Sequence, residues 1–298
     1  MKVLVPVAAY GTGTTGEYVY RAFKQLGHDT TLGNQYDMYG ALLNNTFDLI
    51  FCVDSGGPFN FFDATIQNCT FEKLAFWLID YRHGKYLKNP NDFDTAKYIS
   101  DRGGHIFQAQ IEDSRHALDN GIFNCSWLPL AADPEVWNNE PTEDRIYDIS
   151  FVGNIWDHAR HTALESLKSA GLCVGFAGPG GAQMEAGAKI LRQSKIGFNI
   201  SSFFGDDIAY DVNMRFFETL SCGIPLITNE ITGIDTVLNR DVNKFVRTYR
   251  SLAECVDVVL QSIHDEQFLA TGVLARDYII NNATYIHRVK DALLTLGK

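Results

Sequence analysis

Short apolar runs that stop at glycine or polar residues, each followed by a stretch of helical periodicity, recur through both halves of this chain. That alternation restricts the fold to parallel α/β sheets. In the first half, residues 3–8, 47–53, 74–79, 106–109 and 126–130 read as strands, with helices over 17–26 and 114–120. In the second, strands are expected at 148–152, 173–177, 196–200 and 226–228, with helices over 158–170, 182–193, 213–222 and 251–264. Between them, residues 132–145 hold Pro134, Pro141 and several acids but few apolar side chains, the composition of a linker. A length of 298 residues also favours two domains. The expected class is therefore α/β, with two doubly wound Rossmann-like domains facing each other across a cleft.

The stretch 213–228 joins a helix, a glycine stop and a strand around three polar residues, Asn213, Arg215 and Glu218. Met214, Phe217, Leu220 and Ser221 recur at helical spacing, Asp211 is a suitable N-cap, and Gly223 stands where a helix end takes a left-handed residue. A helix start carries unpaired N–H groups and partial positive charge, so Asn213 and Arg215 are placed to hold a phosphate. Glu218, one turn on, can accept hydrogen bonds from a ribose.

In open α/β sheets ligands gather beyond the carboxyl ends of the strands. The first strand leads into Gly11-Thr12-Gly13-Thr14-Thr15-Gly16, a G-x-G-x-x-G turn, in which Gly13 and Thr14 are candidate ligand contacts. An oxidoreductase would place an acid at the end of a second strand, and Asp37 lies instead in a polar stretch. The strands ending near residues 53 and 79 deliver Asp54, Asp80 and His83, the candidates for a catalytic base. In the second half, Gly153 and Asn154 follow a strand and Arg160 lies on the next helix, all three candidates for phosphate contact. Asp92-Phe93-Asp94 matches a metal-binding D-x-D formally, but a proline-containing loop is the wrong context.

The net charge of −11 argues against broad affinity for nucleic acid or anionic membrane. No apolar run is long enough to span a bilayer, and Met1-Lys2 leads straight into a strand without a signal-peptide pattern. Cys52, Cys69, Cys125, Cys173, Cys222 and Cys255 are scattered, and are expected to be buried free thiols in a cytoplasmic protein. His158, His161, His264 and His287 show no metal-ligand spacing.

Four further blocks, 128–137 (Leu-Pro-Leu-Ala-Ala-Asp-Pro-Glu-Val-Trp), 147–154, 194–200 and 285–289, together with the 213–228 stretch, resemble the CgeB-like glycosyltransferases of the GT-B group in the same order. The resemblance covers the C-terminal three fifths of the chain well and the remainder poorly. It implies a GT-B transferase in which the second domain holds a nucleotide-diphosphate sugar and the last helix packs back on the first domain. Domains are then expected at 1–135 and 146–275, with 276–298 as that returning segment. Many retaining members of the group carry two glutamates eight positions apart. Here Tyr210 stands eight before Glu218, with Asp211 beside it.

The expected function is metal-independent transfer of a sugar, from a UDP-sugar in preference to other donors and with no cofactor, to a hydroxyl acceptor. Glycan, protein, small metabolite or a hydroxylated base in DNA remain open as acceptors. Two other classes stay alongside: a nucleotide-sugar-binding protein without turnover, and an NAD(P)-dependent Rossmann oxidoreductase.

Overall fold

A computed structural model describes residues 1–7, 14–34, 45–54, 70–79, 97, 99–140, 144–155, 158–178, 184–201, 212–238 and 244–298. The chain forms two compact units, Met1–Leu130 with Tyr285–Lys298, and Ala131–Thr284. The change of unit thus falls at Leu130–Ala131 and again at Thr284–Tyr285.

In the first unit the elements are β1 (Lys2–Val7), α1 (Thr15–Gln25), β2 (Asp29–Asn34), β3 (Thr46–Asp54), β4 (Thr70–Leu78), β5 (His105–Gln108), α2 (Ile111–Asp119) and β6 (Cys125–Trp127), joined by the C-terminal helix Tyr285–Thr295. The six strands pair in parallel in the order β2-β1-β3-β4-β5-β6. Leu4, Ile50, Cys52, Phe76 and Ile106 are fully buried, as expected of strands covered on both faces. β2 is absent from the sequence expectation. It is an edge strand rich in threonine and glycine, so neither apolar content nor alternation marks it. The chain runs from β1 outwards to β2 and then back past β1 to β3, so the winding reverses between β1 and β3, whose register pairs Val7 with Val53. Gly16 is required here, because a Cβ on it would lie 2.2 Å from Val7 Cγ1. The C-terminal helix stacks Tyr285 on Tyr18 at 5.1 Å, and its buried Arg288 donates through Nε to the Leu130 carbonyl at 3.2 Å.

The second unit contains β7 (Tyr147–Val152), α3 (His158–Ser169), β8 (Val174–Ala177), α4 (Met184–Arg192), β9 (Ser194–Asn199), α5 (Met214–Ser221), β10 (Leu226–Asn229), α6 (Ile234–Leu238), β11 (Val246–Tyr249), α7 (Leu252–Ser262), α8 (Glu266–Ala270) and α9 (Gly272–Asn282). Its strands are parallel in the order β11-β10-β9-β7-β8. The winding reverses between β7 and β9. Ile149, Phe151, Ile196, Phe198 and Ile227 from the strands pack with Leu167, Cys255 and Val259 from the helices. The Ser251 hydroxyl caps α7 by accepting from Glu254 N at 3.2 Å.

Three sequence expectations change. Residues 132–140 are not a solvated linker: Ala132 N donates to the Ala283 carbonyl at 3.1 Å, and Ala131, Ala132, Asp133 and Trp137 are buried. Cys173 is exposed, unlike Cys52, Cys125, Cys222 and Cys255; Cys69 lies outside the described residues. The N-cap of α5 is Asn213 rather than Asp211, because the helix starts at Met214. Among the described residues no helix is long and apolar enough to cross a membrane.

Candidate donor-binding site

Helix α5 has only 8 residues, too few to hold its shape alone, and packing fixes it instead. Phe216, Phe217, Glu218, Thr219, Leu220 and Ser221 are all buried. On one side it lies directly on β9, where a Cβ on Gly197 would come within 2.1 Å of Thr219 Cγ2. At its end Gly223 adopts φ +75°, the left-handed stop the sequence called for. There a Cβ on Gly272 of α9 would meet the Gly223 carbonyl oxygen at 2.2 Å. Arg276 Nη1 donates to the Ser221 carbonyl at 3.3 Å, a cation on the negative end of the helix dipole.

This packing carries charge into the interior. Glu218 is 1 % exposed, and one of its oxygens accepts from Arg215 Nη1, one turn earlier. Its other oxygen, Oε1, is buried without a hydrogen-bond partner. Burial pushes the Glu218 carboxyl up to about 7, against the pull of the Arg215 guanidinium. The Arg215 guanidinium carbon lies 5.1 Å from the centre of the Trp137 ring, a cation–π contact. Arg215 is therefore held from two sides, by a carboxylate and by an indole face.

At the amino end, the Asn213 side chain makes no cap bond to the helix. Its Nδ2 donates to Asn199 Oδ1 at 3.3 Å, while its own Oδ1 is buried and unpartnered. The Asn199 amide continues to Thr228 Oγ1 at 3.1 Å, and Asn229 Oδ1 accepts from Ser201 N at 2.8 Å. These residues end β9 and β10, so the carboxyl edge of the sheet beside α5 is lined by buried amides. Arg160 spans the reversal of winding: Nη1 donates to the Asn154 carbonyl after β7 at 3.0 Å, and Nε to the Ile200 carbonyl after β9 at 3.2 Å.

The sequence-derived candidates thus fall into two groups. Gly153, Asn154, Arg160, Asn213, Arg215 and Glu218 all belong to the second unit; Arg215 and Glu218 pair on α5, and Asn213 is its N-cap residue. Arg160 braces the Gly153–Asn154 turn through its carbonyl. In the first unit, Thr14 is the N-cap of α1 without a side-chain cap bond, and Asp54 is the last residue of β3, beside the reversal of winding. Gly13, Asp80 and His83, like Asp92 and Asp94, lie outside the described residues. Among the described residues no group of three or more His, Cys, Asp or Glu side chains could hold a metal.

Sequence reasoning missed Trp137 and the buried polar side chains of Asn199, Thr228 and Asn229. Trp137 stood in the block 128–137, which was the available signal; its acidic, proline-containing surroundings read as linker.

The two parallel sheets match the GT-B glycosyltransferase fold. HepE from Anabaena, solved with UDP and glucose, is 11% identical with a TM-score of 0.67 and covers 100% of this chain and 99% of its own. Sucrose-phosphate synthase from Thermosynechococcus elongatus is 9% identical at a TM-score of 0.66, covering 99% of this chain and 98% of its own. An alpha-glucosyltransferase solved with UDP-glucose and DNA containing an abasic site is 10% identical at 0.66, covering 100% and 99%. No curated protein sequence matches the chain significantly. Residues 143–293 match the family described as glycosyl transferase-like, and the chain belongs to that family.

Proposed function

We propose that the protein transfers a sugar from a nucleoside-diphosphate sugar, a UDP-sugar before others, to an acceptor hydroxyl, and that the second unit holds the donor. The observation that carries this is the start of α5: a buried carboxylate with one oxygen unpartnered, three residues after an arginine, on a helix whose first turn lacks a side-chain cap. Glu218 Oε1 accepts the ribose hydroxyls. The diphosphate takes Arg215 and the first N–H groups of α5, with Asn213 beside them. The Gly153–Asn154 turn, braced by Arg160, closes the phosphate site from the β7 side. Donors of UDP type are favoured by the neighbours solved with UDP, glucose or UDP-glucose.

As the acceptor oxygen bonds to the anomeric carbon, the diphosphate leaves with the electron pair of the broken bond. Arg215 and the helix N–H groups stabilise that charge, so the proposal includes no metal and no cofactor. In an inverting transfer the acceptor proton passes to Asp54, Asp80 or His83, carried by the first unit, whose Gly13 and Thr14 are kept as donor contacts ahead of α1. Within the family we place the chain nearest the CgeB-like branch and in the cytoplasm. The acceptor class stays as broad as the neighbours, one of which was solved with DNA.

The test is a melting-temperature panel of UDP-glucose, UDP-N-acetylglucosamine, GDP-mannose and NAD(P), with and without EDTA, followed by release of free nucleoside diphosphate. A donor at about 100 times its Kd adds about 2.7 kcal/mol of stability. Stabilisation by one sugar nucleotide, indifferent to EDTA, lost in Arg215→Ala and accompanied by diphosphate release, is expected. Stabilisation by NAD(P) alone contradicts the proposal.

A further inference from the structure

We propose that Trp137 is a positioning residue for donor binding: its indole face, fixed by the backbone of residues 133–139, holds Arg215 in the orientation that meets the diphosphate. The inference rests on the donor reading above.

Local sequence fixes the indole first. Asp133 Oδ1 accepts from Glu135 N at 3.0 Å, its carbonyl accepts from Trp137 N at 2.9 Å, and Pro134 occupies the first position of the turn, where a missing N–H costs nothing. One helical turn therefore presents Trp137 at a set angle. Side chains from the ends of α5 and α4 then clamp the segment. Ser221 Oγ donates to the Trp137 carbonyl, and Arg192 Nη1 donates to Asn138 Oδ1 at 3.0 Å. Trp137 is 1 % exposed, although it stands 78 residues before Arg215 in the chain.

The consequence concerns Arg215. An arginine carries several rotatable bonds, and ordering it on a ligand costs conformational entropy. Here Nη1 is committed to Glu218 and one guanidinium face to the indole. Among the described residues Arg215 makes no other hydrogen bond or ion pair, which leaves its remaining donors for a phosphate. The indole thus lowers the entropy lost on binding without touching the donor. Because the indole stacks on the phosphate-binding group itself, its removal weakens a diphosphate more than a nucleoside.

The experiment uses the full chain and titration calorimetry. The diphosphate that binds best among UDP, GDP, ADP and dTDP is compared with its own nucleoside on wild type, Trp137→Leu, Trp137→Phe and Arg215→Ala. Trp137→Leu is expected to weaken the diphosphate about tenfold, the scale of a desolvated cation–π contact, while nucleoside affinity moves less than about twofold. Trp137→Phe should keep most of the affinity. Adding Trp137→Leu to Arg215→Ala should bring no further loss. Equal weakening of diphosphate and nucleoside, or a full additional loss in the double variant, overturns the inference while leaving the donor reading in place. If Trp137→Leu does not fold, Trp137→Phe and Trp137→Tyr replace it, with diphosphate affinity ordered Trp, Tyr, Phe at constant nucleoside affinity; no ordering overturns the inference. Failure of wild type to bind any of the four diphosphates overturns both.

Discussion

Helices α1 and α5 each follow a strand that borders the reversal of winding in its sheet, yet their first turns carry opposite charge. Both rest on a strand at a point where one glycine permits close approach, Gly16 of α1 against Val7 and Gly197 of β9 beneath Thr219. Both have an N-cap side chain, Thr14 or Asn213, that leaves the helix uncapped. The difference is charge. The first turn of α1 contains Glu17, which complements the helix dipole itself and repels a phosphate; the first turn of α5 has no acid and carries Arg215. A glycine-rich turn after a first strand therefore answers a packing requirement as readily as a binding one, and the side chains of the following turn separate the two.

The largest effect expected from this contrast concerns pH. Glu218 has a folded-state value near 7 against an ordinary 4.5, so between those values the native state binds more protons than the unfolded one. Stability from this group is full below pH ~4.5 and falls as pH rises towards ~7, by on the order of 3 kcal/mol. Denaturation of wild type against Glu218→Gln across pH 4 to 8 should show that falling difference; parallel curves contradict it. If ribose hydroxyls donate to the ionised carboxylate, donor binding should also release a proton below pH ~7 in wild type and not in Glu218→Gln, apart from the phosphate's own titration.

Next in size, Arg215→Ala should weaken diphosphate binding by about thirtyfold, the scale of a charge-assisted hydrogen bond. Loss of less than about threefold would move the phosphate away from α5. The two glycines then separate packing from binding. Gly16→Ala and Gly197→Ala each force a Cβ into a neighbouring methyl and should cost about 1–3 kcal/mol in denaturant unfolding. Only Gly197→Ala, which displaces α5, should also weaken the diphosphate. Smallest of all, Glu17→Gln should change diphosphate affinity by less than about twofold, since the dipole of α1 acts only within its own first turn. A clear gain in affinity in that variant would return the phosphate to α1.

Much of this arrangement was legible in the chain. Buried parallel strands such as β1 and β3 announce themselves as unbroken apolar runs, and the stop at Gly223 marks the end of α5. Asn213, Arg215 and Glu218 were readable because helical spacing places them at one helix start. What the sequence hid depends on contacts between distant residues. Trp137 meets Arg215 across 78 positions, and the need for glycine at 197 arises from Thr219 on another element. β2 and β11 were missed for a different reason: short edge strands expose one side and lack an apolar signature. The bonds of Arg160 to the Asn154 and Ile200 carbonyls were likewise beyond any local pattern.

The measurement that bears most directly on the account is a crystal structure of the protein soaked with the nucleoside diphosphate that stabilises it most. The account predicts diphosphate oxygens on Arg215 and the first N–H groups of α5, with ribose hydroxyls on Glu218 Oε1. A diphosphate seated instead at the start of α1, with Glu218 still unpartnered, would contradict it.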